Sequence, residues 1–164
     1  GNGLHINMSV KCNDGEDRTD AFMAGVLSHV REMTAVLNPT EQSYKRFGEK
    51  KAPKYITWSP ENRSQLIRVP AAKGEYKRIE LRSPDPTVNP YIAFALLIYA
   101  GIDGIEKELQ SPEAVNVNLY KAEKSLTDTL DTLPESLNEA KKIAAASPIM
   151  QEVLGESLND ILGL

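Results

Sequence analysis

The sequence predicts an α+β fold in which a small β-sheet packs against several helices. Three observations lead there. Short runs rich in β-forming residues cluster in the first half of the chain, and alternate with turn signals. Residues 20–37 carry one apolar stripe at helical spacing. An Asn-Pro start signal at Asn89-Pro90 opens a long apolar segment, and the remaining helical patterns follow it. Strands gathered apart from helices belong to a layered α+β domain rather than to a regular βαβ alternation.

Taken in order, His5 to Val10 alternates as a strand does, with His5, Asn7 and Ser9 on one face. Asn13 to Asp20 is a polar turn containing Gly15. Phe22, Val26, Val30, Met33 and Leu37 recur at three- and four-residue steps, so 20–37 reads as a helix that Asn38-Pro39 ends. Residues 40–54 are polar, basic and without period, which predicts a loop. Lys54 to Ser59, Gln65 to Val69 and Lys77 to Arg82 are short strand candidates, the first two separated by a turn at Pro60 to Asn62. Ser83-Pro84-Asp85-Pro86 breaks the chain. The segment 90–110 is apolar nearly all round, which predicts a helix buried between layers. Residues 111–132 read as loop with short helical turns. Two more helices are expected at 134–146 and 148–162, the second opened by Ser147-Pro148.

At 164 residues the chain suits one domain. Its 41% hydrophobic and 26% charged content is that of a globular protein. The longest apolar run, Tyr91 to Gly101, is far short of the roughly 18 residues a membrane span needs. No basic-plus-apolar leader is present, Cys12 stands alone, and no Cys/His set has zinc spacing, so a reducing cytoplasmic setting is the expectation. The first residues, Gly1-Asn2-Gly3, run straight into strand without an initiator Met. The last, Ile161 to Leu164, are largely apolar. Both ends read as cut from a longer chain, which makes 1–164 a single partial domain.

The net charge is −4, but residues 45–82 hold eleven Lys/Arg against four Asp/Glu. A basic segment in an acidic chain points to a small anionic ligand such as phosphate or carboxylate, or to a solvated charged loop. Nucleic acid fits less well, because the acidic remainder repels it. In Arg78-Ile79-Glu80-Leu81-Arg82, residues 78, 80 and 82 share a strand face while Ile79 and Leu81 face a core. A carboxylate between two guanidiniums could bind a divalent cation through Glu80 and an anion through Arg82. A surface ladder of salt bridges is the alternative. Arg63 and Arg68 are five apart, so they converge only if Arg63 sits in the turn before the strand. Arginine suits phosphate because its planar fork makes paired hydrogen bonds. His5 is a possible metal ligand or a structural histidine, and Arg46 in Tyr44-Lys45-Arg46 could reach a carboxylate. No Walker-type phosphate loop is present.

An ordered series of motifs resembles glutamine synthetases of the bacterial class I type. It runs from Gly1-Asn2-Gly3-Leu4-His5-Ile6-Asn7-Met8-Ser9 through Asn38-Pro39-Thr40, Ser43-Tyr44-Lys45-Arg46 and Ala52-Pro53. It continues through Glu61-Asn62-Arg63-Ser64, Ile67-Arg68-Val69-Pro70, Arg78 to Pro86 and Asn89-Pro90-Tyr91, and closes on Ala100 to Ile105. The motifs cover about residues 1–108, and beyond residue 110 the match weakens. The resemblance implies an antiparallel or mixed sheet of the synthetase catalytic domain. It implies His5 and Glu80 as ligands of a Mg2+ or Mn2+ ion that bridges ATP phosphates. Asn7 and Ser9 would contact the nucleotide, although many bacterial relatives have a second histidine where Asn7 stands. Gly1, Arg46 and Arg82 would hold substrate L-glutamate. Arg63 and Arg68 would hold ATP phosphates, with Arg63 also beside the transferred phosphoryl group. The implied reaction phosphorylates the glutamate γ-carboxylate, and ammonia then displaces phosphate to give glutamine, in a ring-shaped oligomer, a dodecamer.

Two departures stand out. Relatives carry a glutamate just before Ala-Pro, on a flap that shields the intermediate and helps deprotonate ammonium. Here Lys51 stands there, in a loop one residue shorter, and Glu49 is the nearest carboxylate that could take the role. Asn118-Leu119-Tyr120 resembles the site where some relatives carry an adenylylated tyrosine, but Lys121-Ala122-Glu123 departs from it, and Tyr120 is given no regulatory role. Relatives also supply further metal-binding glutamates from upstream strands, and a small N-terminal domain from the neighbouring subunit. This stretch alone is therefore expected to be inactive. Two other readings remain: a ligase joining glutamate to another amine, and a silent homologue that binds nucleotide.

Overall fold

The computed structural model describes residues 3–49, 52–72 and 74–164, so the expectations for Gly1 and Lys51 lie outside the described residues. Strand β1 (Ile6–Met8) leads to helix α1 (Thr19–Leu37) and the short α2 (Glu41–Tyr44). Strands β2 (Trp58–Ser59), β3 (Ile67–Arg68) and β4 (Ile79–Leu81) follow. Helix α3 (Pro90–Glu106), the single turn α4 (Lys124–Thr127), α5 (Leu137–Ala146), α6 (Pro148–Leu154) and α7 (Leu158–Leu162) complete the chain. The sheet order is β1-β4-β3-β2, with β4 antiparallel to both neighbours and β2 parallel to β3, so the expected α+β fold carries a mixed sheet.

Register sorts the sheet into two faces. Ile6 stands opposite Leu81, and Leu81 opposite Ile67, so three apolar side chains line one face. All three are buried in the core with Ile79. Asn7 stands opposite Glu80, and Glu80 opposite Arg68, so the polar groups line the other face. The alternation read from 78–82 thus holds, although Glu80 and Arg82 are buried along with their apolar neighbours.

The apolar stripe of α1 is buried along its whole length. Helix α3 crosses it at backbone contact. A Cβ on Gly25 would come 2.8 Å from Gly104 Cα and closer still to the Ala100 carbonyl oxygen. Beside this crossing, His29 on α1 links the two helices, with Nε2 2.9 Å from Asp103 Oδ2.

Four expectations change. The loop at 40–54 contains α2, because Thr40 and Ser43 form a reciprocal capping box that starts a helical turn without apolar periodicity. The strand candidate at 54–59 shortens to β2. Its first residues pair instead with a later segment: Ile56 N–H donates to Asp131 O and Leu133 N–H to Lys54 O. The single helix at 148–162 breaks into α6 and α7 at Gly155, whose φ of +52° lies in the left-handed region. Helix α3 is not buried all round. Ala93, Leu96, Leu97 and Ala100 are buried, whereas Tyr91, Phe94, Ile98 and Ile102 are exposed on the opposite side. One flank meets α1 and α6, and the other carries an apolar stripe that no described residue covers. No helix among the described residues is long and apolar enough to cross a membrane.

Candidate metal and anion site

The polar face of the sheet gathers the residues singled out from sequence. His5 precedes β1, Glu80 sits mid-β4 and Arg68 on β3, so pairing of neighbouring strands brings together side chains up to 75 positions apart. His5 Nδ1 lies 3.2 Å from Glu80 Oε1. The other carboxylate oxygen, Oε2, accepts from Arg68 Nε at 2.6 Å and from Arg82 Nη1 at 2.9 Å. Glu80 is thus flanked by two guanidiniums, as expected, but the pair is Arg68 and Arg82. Arg78, read as a flanking partner, donates instead from Nε to Asn7 Oδ1 at 3.3 Å.

Electrostatics follow the geometry. Burial alone would raise the Glu80 pKa, but the hydrogen bond from Arg68 and the charge of Arg82 hold it below the usual carboxylate value. His5 shifts down, first because burial disfavours the imidazolium and then because Arg82 repels it; Glu80 only partly offsets this. At neutral pH the pair is therefore a carboxylate beside a neutral imidazole, the protonation states that ligate a metal. Cis ligands of an octahedral ion with bonds of about 2.1 Å stand about 3 Å apart. A 3.2 Å N–O separation suits such an ion. The two residues fit a divalent cation as part of its donor set, and no group of three or more His, Cys, Asp or Glu for a metal occurs among the described residues.

Arg46 stands next to this cluster. A Cβ on Gly3 would lie 3.8 Å from both Arg46 Nη1 and His5 Nε2, so Gly3 marks the seam between the imidazole and this guanidinium. Arg82, expected to hold substrate, is 3% exposed and engaged with Glu80. Arg63 does sit in the bend before β3, the placement its convergence with Arg68 requires, but it is exposed and joins none of the ion pairs among the described residues.

The remaining candidates line two cavities. Glu49 shares one of about 290 Å3 with Lys54, Tyr55, Ser64, Leu119 and Tyr120. Burial raises the Tyr120 pKa, and the charge of Arg82 partly opposes this. Ser9 is exposed at a second cavity of about 390 Å3 that also presents Lys11 and Lys77. Sequence reasoning missed Asn38 and Asp85, both of which contact Arg46. Asn38-Pro39 reads as a helix stop and Ser83-Pro84-Asp85-Pro86 as a chain break, so structural punctuation hid their side-chain role.

Comparison with known proteins extends the resemblance past the quoted motifs. The family model described as glutamine synthetase, catalytic domain, matches residues 1–161. The glutamine synthetase of Halobacterium salinarum is 44% identical over 172 residues, which cover 95% of this chain and 38% of that protein. That of Pyrococcus abyssi is 40% identical, covering 99% of this chain and 40% of that protein. A solved structure of a GmaS/ADP complex superposes with a TM-score of 0.83 at 29% identity, over 99% of this chain and 41% of the other. The chain spans about two fifths of the length of the curated relatives it matches. The similarities extend beyond residue 110, through the last helices. With a metal-competent histidine–glutamate pair ringed by arginines, and a match along nearly its whole length, the chain belongs to the glutamine synthetase catalytic-domain family.

Proposed function

We propose that this chain forms part of an ATP-dependent glutamate–ammonia ligase that makes L-glutamine through a γ-glutamyl phosphate. The observation that carries the reading is the approach of His5 to Glu80 across neighbouring strands, with Arg68 and Arg82 fixing the carboxylate. A Mg2+ or Mn2+ ion held there would neutralise charge on the ATP phosphates during transfer. Arg68 orients Glu80 and presents positive charge beside it, and Arg63 in the preceding bend would reach the phosphates. Arg46 would hold a carboxylate of L-glutamate, with Gly1 and Arg82 at the same site. Asn7 and Ser9 would face the nucleotide, the latter beside a cavity furnished with two lysines. Glu49 would serve the ammonia step, beside the cavity it shares with Tyr120.

The intact protein would work as a ring-shaped homo-oligomer in the cytoplasm, and residues 1–164 alone would turn over nothing. The test is turnover by the intact protein with ATP, magnesium and glutamate. Glutamine formation with ammonia, or hydroxamate with hydroxylamine, supports the reading. Lys51 in place of the flap glutamate favours a second reading, in which the acceptor is a larger amine. Turnover with such amines alone would establish that reading instead. Nucleotide binding without any turnover would overturn both. Substituting Glu80→Ala is expected to weaken magnesium-dependent ATP binding about 100-fold or more. Unchanged magnesium dependence in a titration would remove the role given to Glu80.

A further inference from the structure

Arg46 is held by a frame. Its Nη2 donates to Asn38 Oδ1 at 3.0 Å and to the Ser83 carbonyl at 3.1 Å, and its Nε lies 3.2 Å from Asp85 Oδ2. These partners come from the end of α1 and from the connection between β4 and α3. The frame is itself rigid. Asp85 Oδ1 accepts from the Thr87 N–H at 2.9 Å and the Thr87 hydroxyl at 2.7 Å, and the Asp85 N–H donates to Leu37 O at 2.9 Å. Asn38 is fully buried and Asp85 is 6% exposed. The Nε and Nη2 side of the guanidinium is thus tied inward, while Nη1 lies toward Gly3 and His5.

We propose that Asn38 and Asp85 are positioning residues, which orient Arg46 so that its Nη1 end is aimed at a substrate carboxylate beside the metal pair. The inference rests on the proposed function, because that reading supplies the carboxylate. Its physical basis is preorganisation. An arginine side chain free to rotate loses rotamer freedom when it binds an anion, whereas one already locked loses little. Asp85 contributes a charge beside Nε and Asn38 a neutral acceptor for Nη2, so the two can be separated.

The experiment is steady-state kinetics of the intact protein with ATP, magnesium, ammonia and varied L-glutamate, following phosphate release. Asp85→Ala and Asn38→Ala are each expected to raise the KM for glutamate about tenfold or more, with the KM for ATP within about twofold of wild type. Asp85→Asn keeps one oxygen for the Thr87 donors but turns an NH2 toward Arg46 Nε, so it is expected to raise the glutamate KM as well. An unchanged glutamate KM in Asn38→Ala and Asp85→Ala overturns the proposal. So does a joint change in both KM values, which marks a general structural defect. Should Asp85→Ala fail to fold, Asn38→Ala and Asp85→Asn decide by the same criteria. A wild-type protein with no glutamate-dependent turnover overturns the proposed function and this inference together. Wild-type turnover with unaltered variants overturns this inference alone.

Discussion

Glu80 illustrates how far single residues could be read. Its strand face followed from period-two alternation, and its pairing with Arg82 from the i, i+2 spacing. Arg68 was visible as an anion-binding candidate, but not as the partner of Glu80, because strand order is a non-local property that residue spacing does not carry. Asn38 and Asp85 were legible only as helix stop and breaker, since contacts to Arg46 across 8 and 39 positions follow no helix or strand period. At this scale acid sensitivity follows. Burial raises the Asp85 pKa, but the Thr87 donors and Arg46 outweigh it and hold the carboxyl below its ordinary value of 3.8. Glu80 lies likewise below 4.5. A depressed folded pKa gives stability that is present above the unfolded pKa and is lost as pH falls through the folded one. His5 adds in the same direction from below 6.5, because the unfolded imidazole takes its proton more readily. Chemical denaturation of the intact protein should give a midpoint that declines gently below pH about 6.5 and steeply below about 4. A midpoint independent of pH over that range contradicts the ion-pair network.

Elements with strong local signals appeared where expected. The stripe from Phe22 to Leu37 places α1 within a residue, and the Asn89-Pro90 cap fixes the start of α3, which ends at Glu106 rather than at the expected 110, because periodicity and capping act within one or two turns. Helix α3 shows the limit of that logic. Apolar residues all round imply two covered faces, yet Phe94, Ile98 and Ile102 are exposed, since composition records that a face is apolar and not what lies against it. The α1–α3 crossing yields a prediction at this scale. Gly25→Ala gains up to about 1 kcal/mol in helix propensity. Against this, the new Cβ would stand 2.8 Å from Gly104 Cα and closer still to the Ala100 carbonyl oxygen, both backbone atoms of α3. Overpacking against backbone costs about 1–3 kcal/mol or more, so a net loss of stability and a lower melting temperature are expected. An equal or higher melting temperature would mean that the helices separate easily.

At the scale of the whole molecule, family membership was legible because the motifs occur in order across the first two thirds of the chain. The mixed sheet then explains part of their irregular spacing, since the motifs that carry His5, Arg68, Glu80 and Arg82 lie on or beside three strands paired into one polar face. Only two metal-competent side chains meet there among the described residues, whereas divalent sites take more donors. Residues 1–164 expressed alone should therefore give no detectable glutamine or hydroxamate with ATP, magnesium and glutamate; turnover by this stretch would mean that the site is complete within it. The most direct test of the central claim is the anomalous diffraction signal of Mn2+ in crystals of the intact protein. The account predicts a manganese peak within bonding distance of both His5 and Glu80, lost in Glu80→Ala. Manganese bound elsewhere, with His5 and Glu80 touching only each other and the arginines, would contradict it.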